Sequence, residues 1–277
     1  MMIELPEATT IAEQVCTALT GKRIESVTAN HSPHKFAWFY GDPGEYDNLL
    51  KGHTVENAIP CGGQVEIWAG PARILFGDGV NLRYHPAGEK APAKHQLLIE
   101  FYDSSSLSGS VQMYGGLWAF RAGQFDNPYY LVAQEKPSPL TDQFNYSYFE
   151  SLLEGEKRQP LSAKAFLATE QRIPGLGNGV LQDILWTARI HPKRKVAALS
   201  DEELHVLFGS VKSVLKQMAA EGGRDTERDL YGCPGRYKTI LSRNTVDKPC
   251  PACGSAIKKA AYMGGSVYYC EGCQGRH

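Results

Sequence analysis

The sequence predicts a multi-domain α+β protein: a strand-rich N-terminal domain, a helical domain, and a C-terminal hairpin tied by four cysteines. Three observations carry this. Short strand-like runs broken by turn residues fill residues 1–130. Helical periodicity takes over beyond a polar, Pro-rich stretch at 134–142. Of the 7 cysteines, four close the chain as Cys250-Pro-Ala-Cys253 and Cys270-Glu-Gly-Cys273. At 277 residues the chain has room for more than one domain.

The strand runs are clearest at 64–68, 72–76 and 96–102. The breakers are Gly62-Gly63, Gly77-Asp78-Gly79, Pro86-Ala87-Gly88 and Gly115-Gly116. Strands at that spacing indicate a β-sandwich or a barrel. Ahead of them, residues 7–20 place Ile11, Val15, Ala18 and Leu19 on one helical face, and Gly21 stands where a C′ residue is expected. The boundaries follow: domain 1–133, linker 134–145, helical domain 146–240, cysteine hairpin 241–277. In the helical domain Ser162 can cap a helix through Leu167. Ser200-Asp-Glu-Glu203 is a capping box whose helix runs to Ala220 and stops at Gly222-Gly223. Between these two helices, Pro174-Gly175-Leu176-Gly177-Asn178 leads directly into an apolar-periodic helix. Asn178 can cap it, and free N–H groups at a glycine-lined helix start form a cradle for phosphate. A helix connection that merely needs glycine would look the same.

Two C-x-x-C pairs sixteen residues apart have the spacing of a zinc site. Each pair sits on a tight turn beside Gly254 or Gly272, and residues 266–269 form a strand-like run into Cys270. The start of the sequence has neither a basic n-region nor an apolar h-region, which reads against secretion and so against disulfides. No surrounding βαβ pattern supports a redox pair. Four thiolates fill a tetrahedron and leave no position for a catalytic water, so the expected zinc is structural. Cys16, Cys61 and Cys233 are scattered and read as free thiols.

Charge adds a hint of function. Hydrophobic residues at 42% and charged residues at 21% exclude a disordered chain, and no apolar run is long enough to span a membrane. The net charge of −1 hides an asymmetry. Residues 1–160 carry 12 Lys/Arg against 19 Asp/Glu, whereas residues 161–277 carry 17 against 11. An acidic half joined to a basic half fits a polyanion-binding module, though two ordinary domains can differ in charge.

Taken in order, the N-terminal Glu4-Leu5-Pro6-Glu7, the Gly-Leu-Gly-Asn turn before a helix ending at Arg189-Ile-His-Pro192, and the closing C-x-x-C pairs resemble the formamidopyrimidine-DNA glycosylase / endonuclease VIII family. The resemblance spans nearly the whole chain. It implies a β-sandwich domain, a helix–two-turn–helix domain and a four-cysteine zinc finger around a DNA cleft. It also implies base-excision repair, with the damaged nucleotide flipped into a pocket. The usual chemistry of the family starts from an N-terminal proline amine that forms an imine with the sugar. Here Ile3 aligns with that proline, Gln64 with the catalytic lysine, and Gly265 with a phosphate-clamping arginine. The family's wedge residues are not recognisable around 77–81 or 113–116. Glu4 and Glu7 remain as catalytic carboxylates, with Glu4 activating water for hydrolysis without strand cleavage. Gly175, Gly177 and Asn178 are the expected phosphate contacts. Thr226 and Tyr237 belong to a loop, 223–237, that lines the base pocket or else merely connects to the finger. Trp38 and Trp118 can stack on bases, although strand aromatics usually belong to a core. The expected partner is damaged double-stranded DNA, bound by a cytoplasmic, nucleoid-associated monomer. A DNA-binding protein without catalysis, or an RNA-binding zinc-ribbon protein, fits the same motifs.

Overall fold

A computed structural model describes residues 2–153 and 161–275. The first helix, α1 (Leu5–Leu19), has Pro6 in its first turn and Glu4 at its N-cap. The Glu4 N–H donates to Glu7 Oε2 at 3.2 Å. Gly21, with φ +86°, lies just past its end.

Nine strands follow: β1 (Ile24–Ala29), β2 (Ala37–Trp38), β3 (Val55–Cys61), β4 (Gln64–Ala69), β5 (Ala72–Phe76), β6 (Val80–His85), β7 (Leu97–Phe101), β8 (Ser106–Val111) and β9 (Gly115–Arg121). A short helix, α2 (Tyr46–Leu50), interrupts them. They form a five-stranded sheet, β2-β9-β5-β4-β3, and a four-stranded sheet, β1-β7-β8-β6. All pairings are antiparallel except the parallel pair β2–β9. Two separate sheets settle the sequence alternatives in favour of a sandwich. Its core includes Val15, Val65, Ile67, Phe76, Leu82, Ile99 and Leu117. Strand β8, Ser-Leu-Ser-Gly-Ser-Val, carries almost no hydrophobic signal. A Cβ on Gly109 would lie 2.7 Å from Leu117 Cδ2, so this strand is pressed against its neighbours where only small residues fit.

The helical part comprises α3 (Pro128–Glu135), α4 (Tyr146–Ser151), α5 (Ala163–Ala168), α6 (Leu181–Thr187) and α7 (Asp201–Ala220). Ser162 caps α5, its Oγ accepting from the Ala165 N–H, and the Ser200/Glu203 box opens α7. Their core gathers Phe149, Phe166, Leu181, Ile184, Leu207 and Leu215. Two members come from outside the expected helical domain. Leu5, from α1, is one. Phe144, fully buried, is the other. The stretch 134–145 is therefore not a free linker along its length; an aromatic ring anchors its far end to the helical core.

The chain closes with the antiparallel hairpin β10 (Lys258–Tyr262) and β11 (Gly265–Tyr269), and the short helix α8 (Glu271–Gln274). Among the described residues, no helix is long and apolar enough to cross a membrane.

Candidate active site

Ile3 and Glu4 immediately precede α1, at the junction of the sandwich and the helical part. Ile3 is buried in the sandwich core, and Met2 before it donates its N–H to Glu227 Oε2 at 2.8 Å. The nitrogen of Ile3 is thus a buried internal amide, which is no nucleophile.

Glu4 is buried, and both its oxygens accept hydrogen bonds. Oε1 takes the Gly179 N–H and Oε2 the Val180 N–H, each at 2.8 Å. Arg224 Nη1 lies 3.5 Å from Oε2. Burial raises the carboxyl above its ordinary value, while Arg224 and the two N–H groups pull the other way. The contacts themselves are those of an ionised carboxylate.

This arrangement corrects the reading of Asn178 as the cap of α6. The N–H groups of Gly179 and Val180 ahead of α6 already hold an anion, the Glu4 carboxylate. Asn178 does not cap α6; Val180 occupies the N-cap, and Asn178 Nδ2 donates instead to Ser266 O at 3.1 Å. The glycines also have another reason. A Cβ on Gly177 would lie 2.7 Å from the Glu4 carboxyl, and one on Gly175 would lie 2.5 Å from the carbonyl carbon of Gly62. They admit Glu4 and the β3–β4 hairpin, and Gly175 O accepts from the Leu5 N–H.

Glu7 is fully committed. Arg224 gives it Nε at 3.0 Å, Nη2 at 2.7 Å and its backbone N–H at 3.0 Å. A carboxylate held this way positions its neighbours and has no lone pair left for proton transfer. Burial works against the Arg224 charge, yet Glu4 and Glu7 hold the guanidinium above its ordinary value.

A cavity of about 570 Å³ opens beside Glu4. Ile3, Gln64 and Asp78 share its lining with Trp38, Tyr114 and Trp118. Trp38 is half exposed, its ring 5.9 Å from that of Tyr114; Trp118 is partly buried against the Phe120–Phe125 cluster. Gln64 Oε1 is buried with no hydrogen-bond partner. Asp78 accepts from the Tyr114 hydroxyl at 3.3 Å, and burial, then the Glu4 charge, pushes its carboxyl up to about 6.

A second cavity, about 370 Å³, lies on the other side of Arg224, with Thr226, Arg243 and Tyr268 in its wall. Loop 223–237 is no solvated connector: Leu230 is fully buried in the sandwich core, and its carbonyl accepts from the Tyr84 N–H. Tyr237 is buried in the helical core, its hydroxyl bonded to Asp183.

Helix α6 links the parts. Asp183 accepts from the N–H groups of Ile240 at 2.9 Å and Leu241 at 2.7 Å. Gln182 accepts from the Tyr268 N–H of the hairpin at 3.0 Å and donates to Asn178 O at 2.8 Å. Arg224, Asp78, Gln182 and Asp183 were not read from the sequence as site residues. Each has a partner far along the chain, and none belongs to a local motif.

The sulfurs of Cys250, Cys253, Cys270 and Cys273 lie within 4.8 Å of one another, a group that can hold a metal ion. Cys253–Cys270 at 3.3 Å and Cys250–Cys273 at 3.6 Å are far from a disulfide length and close to the edges of a metal–thiolate tetrahedron. Trp186 Nε1 donates to Cys250 Sγ at 3.3 Å. A Cβ on Gly272 would meet Cys253 Sγ at 2.8 Å, so the second knuckle needs glycine.

A sandwich and a helical unit thus meet at a buried carboxylate, with a four-thiol hairpin docked beside it. The Formamidopyrimidine-DNA glycosylase H2TH domain matches residues 136–229. The formamidopyrimidine-DNA glycosylase of Geotalea uraniireducens is 29% identical over 286 residues, covering 99% of this chain and 100% of that one. That of Symbiobacterium thermophilum is 28% identical over 279 residues, covering 99% and 89%. In fold, the chain matches MutM (Fpg) of Thermus thermophilus with TM-score 0.82 at 21% identity, covering 99% of each chain. It matches Lactococcus lactis Fpg in complex with a FAPY-dG containing DNA with TM-score 0.83 at 22% identity, covering 99% and 100%. Over nearly its whole length the chain is thus similar to formamidopyrimidine-DNA glycosylases, and residues 136–229 carry their H2TH domain.

Proposed function

We propose that this chain binds damaged duplex DNA and releases the damaged base by hydrolysis, without the imine chemistry of an N-terminal proline. The observation that carries the reading is Glu4, an anion fixed at a cavity wall by Gly179, Val180 and Arg224. Cleavage of an N-glycosidic bond builds positive charge on the sugar, and a preorganised carboxylate beside C1′ stabilises it. Glu7 positions Arg224. Ile3 offers no amine, and Gln64 offers none across the cavity. Asn178, with its side chain on the hairpin, and Thr226, in the second cavity, are assigned to contacts with the nucleic acid. The four thiols are assigned one structural zinc, which suits an all-sulfur donor set; a metal there fixes the hairpin and supplies no chemistry.

The test uses duplexes carrying one 8-oxoguanine, one formamidopyrimidine or one oxidised pyrimidine, with borohydride present in parallel. The expected result is free base, an abasic strand cut only after alkali, and no trapped adduct. Glu4→Gln should abolish release and leave duplex affinity within about twofold, since the size is kept while the charge, and one of the two acceptors for the Gly179 and Val180 N–H groups, is lost. Trapping and strand scission by the wild type would restore an amine nucleophile. Lesion-selective binding with no release would favour a recognition protein without catalysis.

A further inference from the structure

The three contacts on Glu4 leave a question about protons. Both its oxygens are occupied, and Glu7 is spent on Arg224. Hydrolysis still requires a group that gives the departing base a proton and takes one from water. Asp78 sits between β5 and β6 and lines the same cavity as Glu4. Its Oδ2 accepts from the Tyr114 hydroxyl, but its Oδ1 is buried and has no hydrogen-bond partner. Its place is rigidly set. Gly79 has φ +80°, and a Cβ there would stand 1.8 Å from Tyr114 O, so the turn is clamped to the strand connection that carries Tyr114.

We propose that Asp78 is the proton-carrying carboxyl of the site, a reading that rests on the hydrolytic function above. As the C1′–N bond breaks, its electron pair stays on the base, and the Asp78 proton goes to the base. A water oxygen forms the new bond to C1′, and the proton it sheds returns to Asp78. One water is consumed, and the carboxyl ends as it began. Glu4 remains an anion throughout. The groups that face Asp78 agree with this division. Glu4 and Glu227 add negative charge, Tyr114 donates one hydrogen bond, and burial with the Glu4 charge brings the carboxyl to about 6, close to a working pH.

The experiment is single-turnover base release, read by mass spectrometry of the freed base, from pH 5 to 9 on the three duplexes. The wild-type rate should fall as pH rises through about 6. Asp78→Asn should lose about 100-fold in rate, together with that limb, at unchanged duplex affinity. Asp78→Glu, which keeps a carboxyl, should retain the limb at a reduced rate. An Asn variant with wild-type rate and limb overturns the proposal, as does a Glu variant without the limb. If Asp78→Asn is unimpaired while Glu4→Gln is dead, the hydrolytic reading stands and the assignment to Asp78 falls. A wild type that releases no base from any of the duplexes overturns both.

Discussion

Arg224 compensates two buried carboxylates at once, and its partners lie more than 200 positions away. Removing it strands Glu4 and Glu7 in a low-dielectric site. Arg224→Met should therefore lower the unfolding free energy by about 3–5 kcal/mol in urea titrations at neutral pH. Arg224→Lys should fall between the two, because an ammonium cannot make the forked contact to Glu7. A stability equal to wild type for the Met variant would show that the cluster is not an ion pair in solution. Nothing near Arg224 in the sequence announces this role, and Gly77-Asp78-Gly79 reads as an ordinary turn. Glu4, by contrast, was legible through its place in Glu-Leu-Pro-Glu. Asp183 offers a pH test. Burial raises it to about 6 against the pull of the Ile240 and Leu241 N–H groups, whereas an unfolded Asp titrates near 3.9. The folded state binds this proton more tightly. Its stabilising contribution is therefore complete below about pH 4 and is lost as pH rises through about 6. The difference in unfolding free energy between wild type and Asp183→Asn should shrink by roughly 3 kcal/mol between pH 4 and 8. A difference independent of pH would contradict the buried, shifted carboxyl.

Among the elements, the cysteine hairpin has little core of its own beyond Val267, Ile257 and Leu241. The proposed zinc is therefore expected to carry much of its folding energy. Purified protein should contain about one zinc per chain, and Cys270→Ser should lose it and expose the hairpin to protease. The ties from Tyr268 to Gln182 and from Gln274 to Ile190 O should go with it. Recovery of two stoichiometric disulfides with full resistance would reverse this. The same scale shows where pattern reading works. Strand β4 alternates polar and branched apolar residues over Gln64–Ile67; helix α7 has a capping box and a glycine stop. Strand β8 hides, because close packing at Gly109 demands a residue without a side chain in the middle of a serine-rich run and leaves only Leu107 and Val111 as apolar signal. The 175–179 turn is legible in the sequence, but the Glu4 carboxylate that its glycines admit is not. Glycines that let a protein carboxylate approach look the same in sequence as glycines that let a phosphate approach.

For the molecule as a whole, the basic character of residues 161–277 implies that duplex binding is dominated by phosphate contacts. Affinity for undamaged and damaged duplex alike should fall at least roughly tenfold between 50 and 200 mM salt, by fluorescence anisotropy, with a linear log–log slope. An affinity indifferent to salt would point to binding through the aromatic cavity alone. The molecule is also joined by α1 in a way that has a temporal consequence. Leu5 lies in the helical core, whereas Ile3, Ala8, Ile11 and Val15 lie in the sandwich core. Glu4 waits for Val180, and Glu7 for Arg224. During synthesis at about 5–20 residues per second, the first helix emerges on the order of ten to forty seconds before Arg224 is made. This early segment is thus among the last to be locked, and its two carboxylates remain in water until the chain that neutralises them arrives.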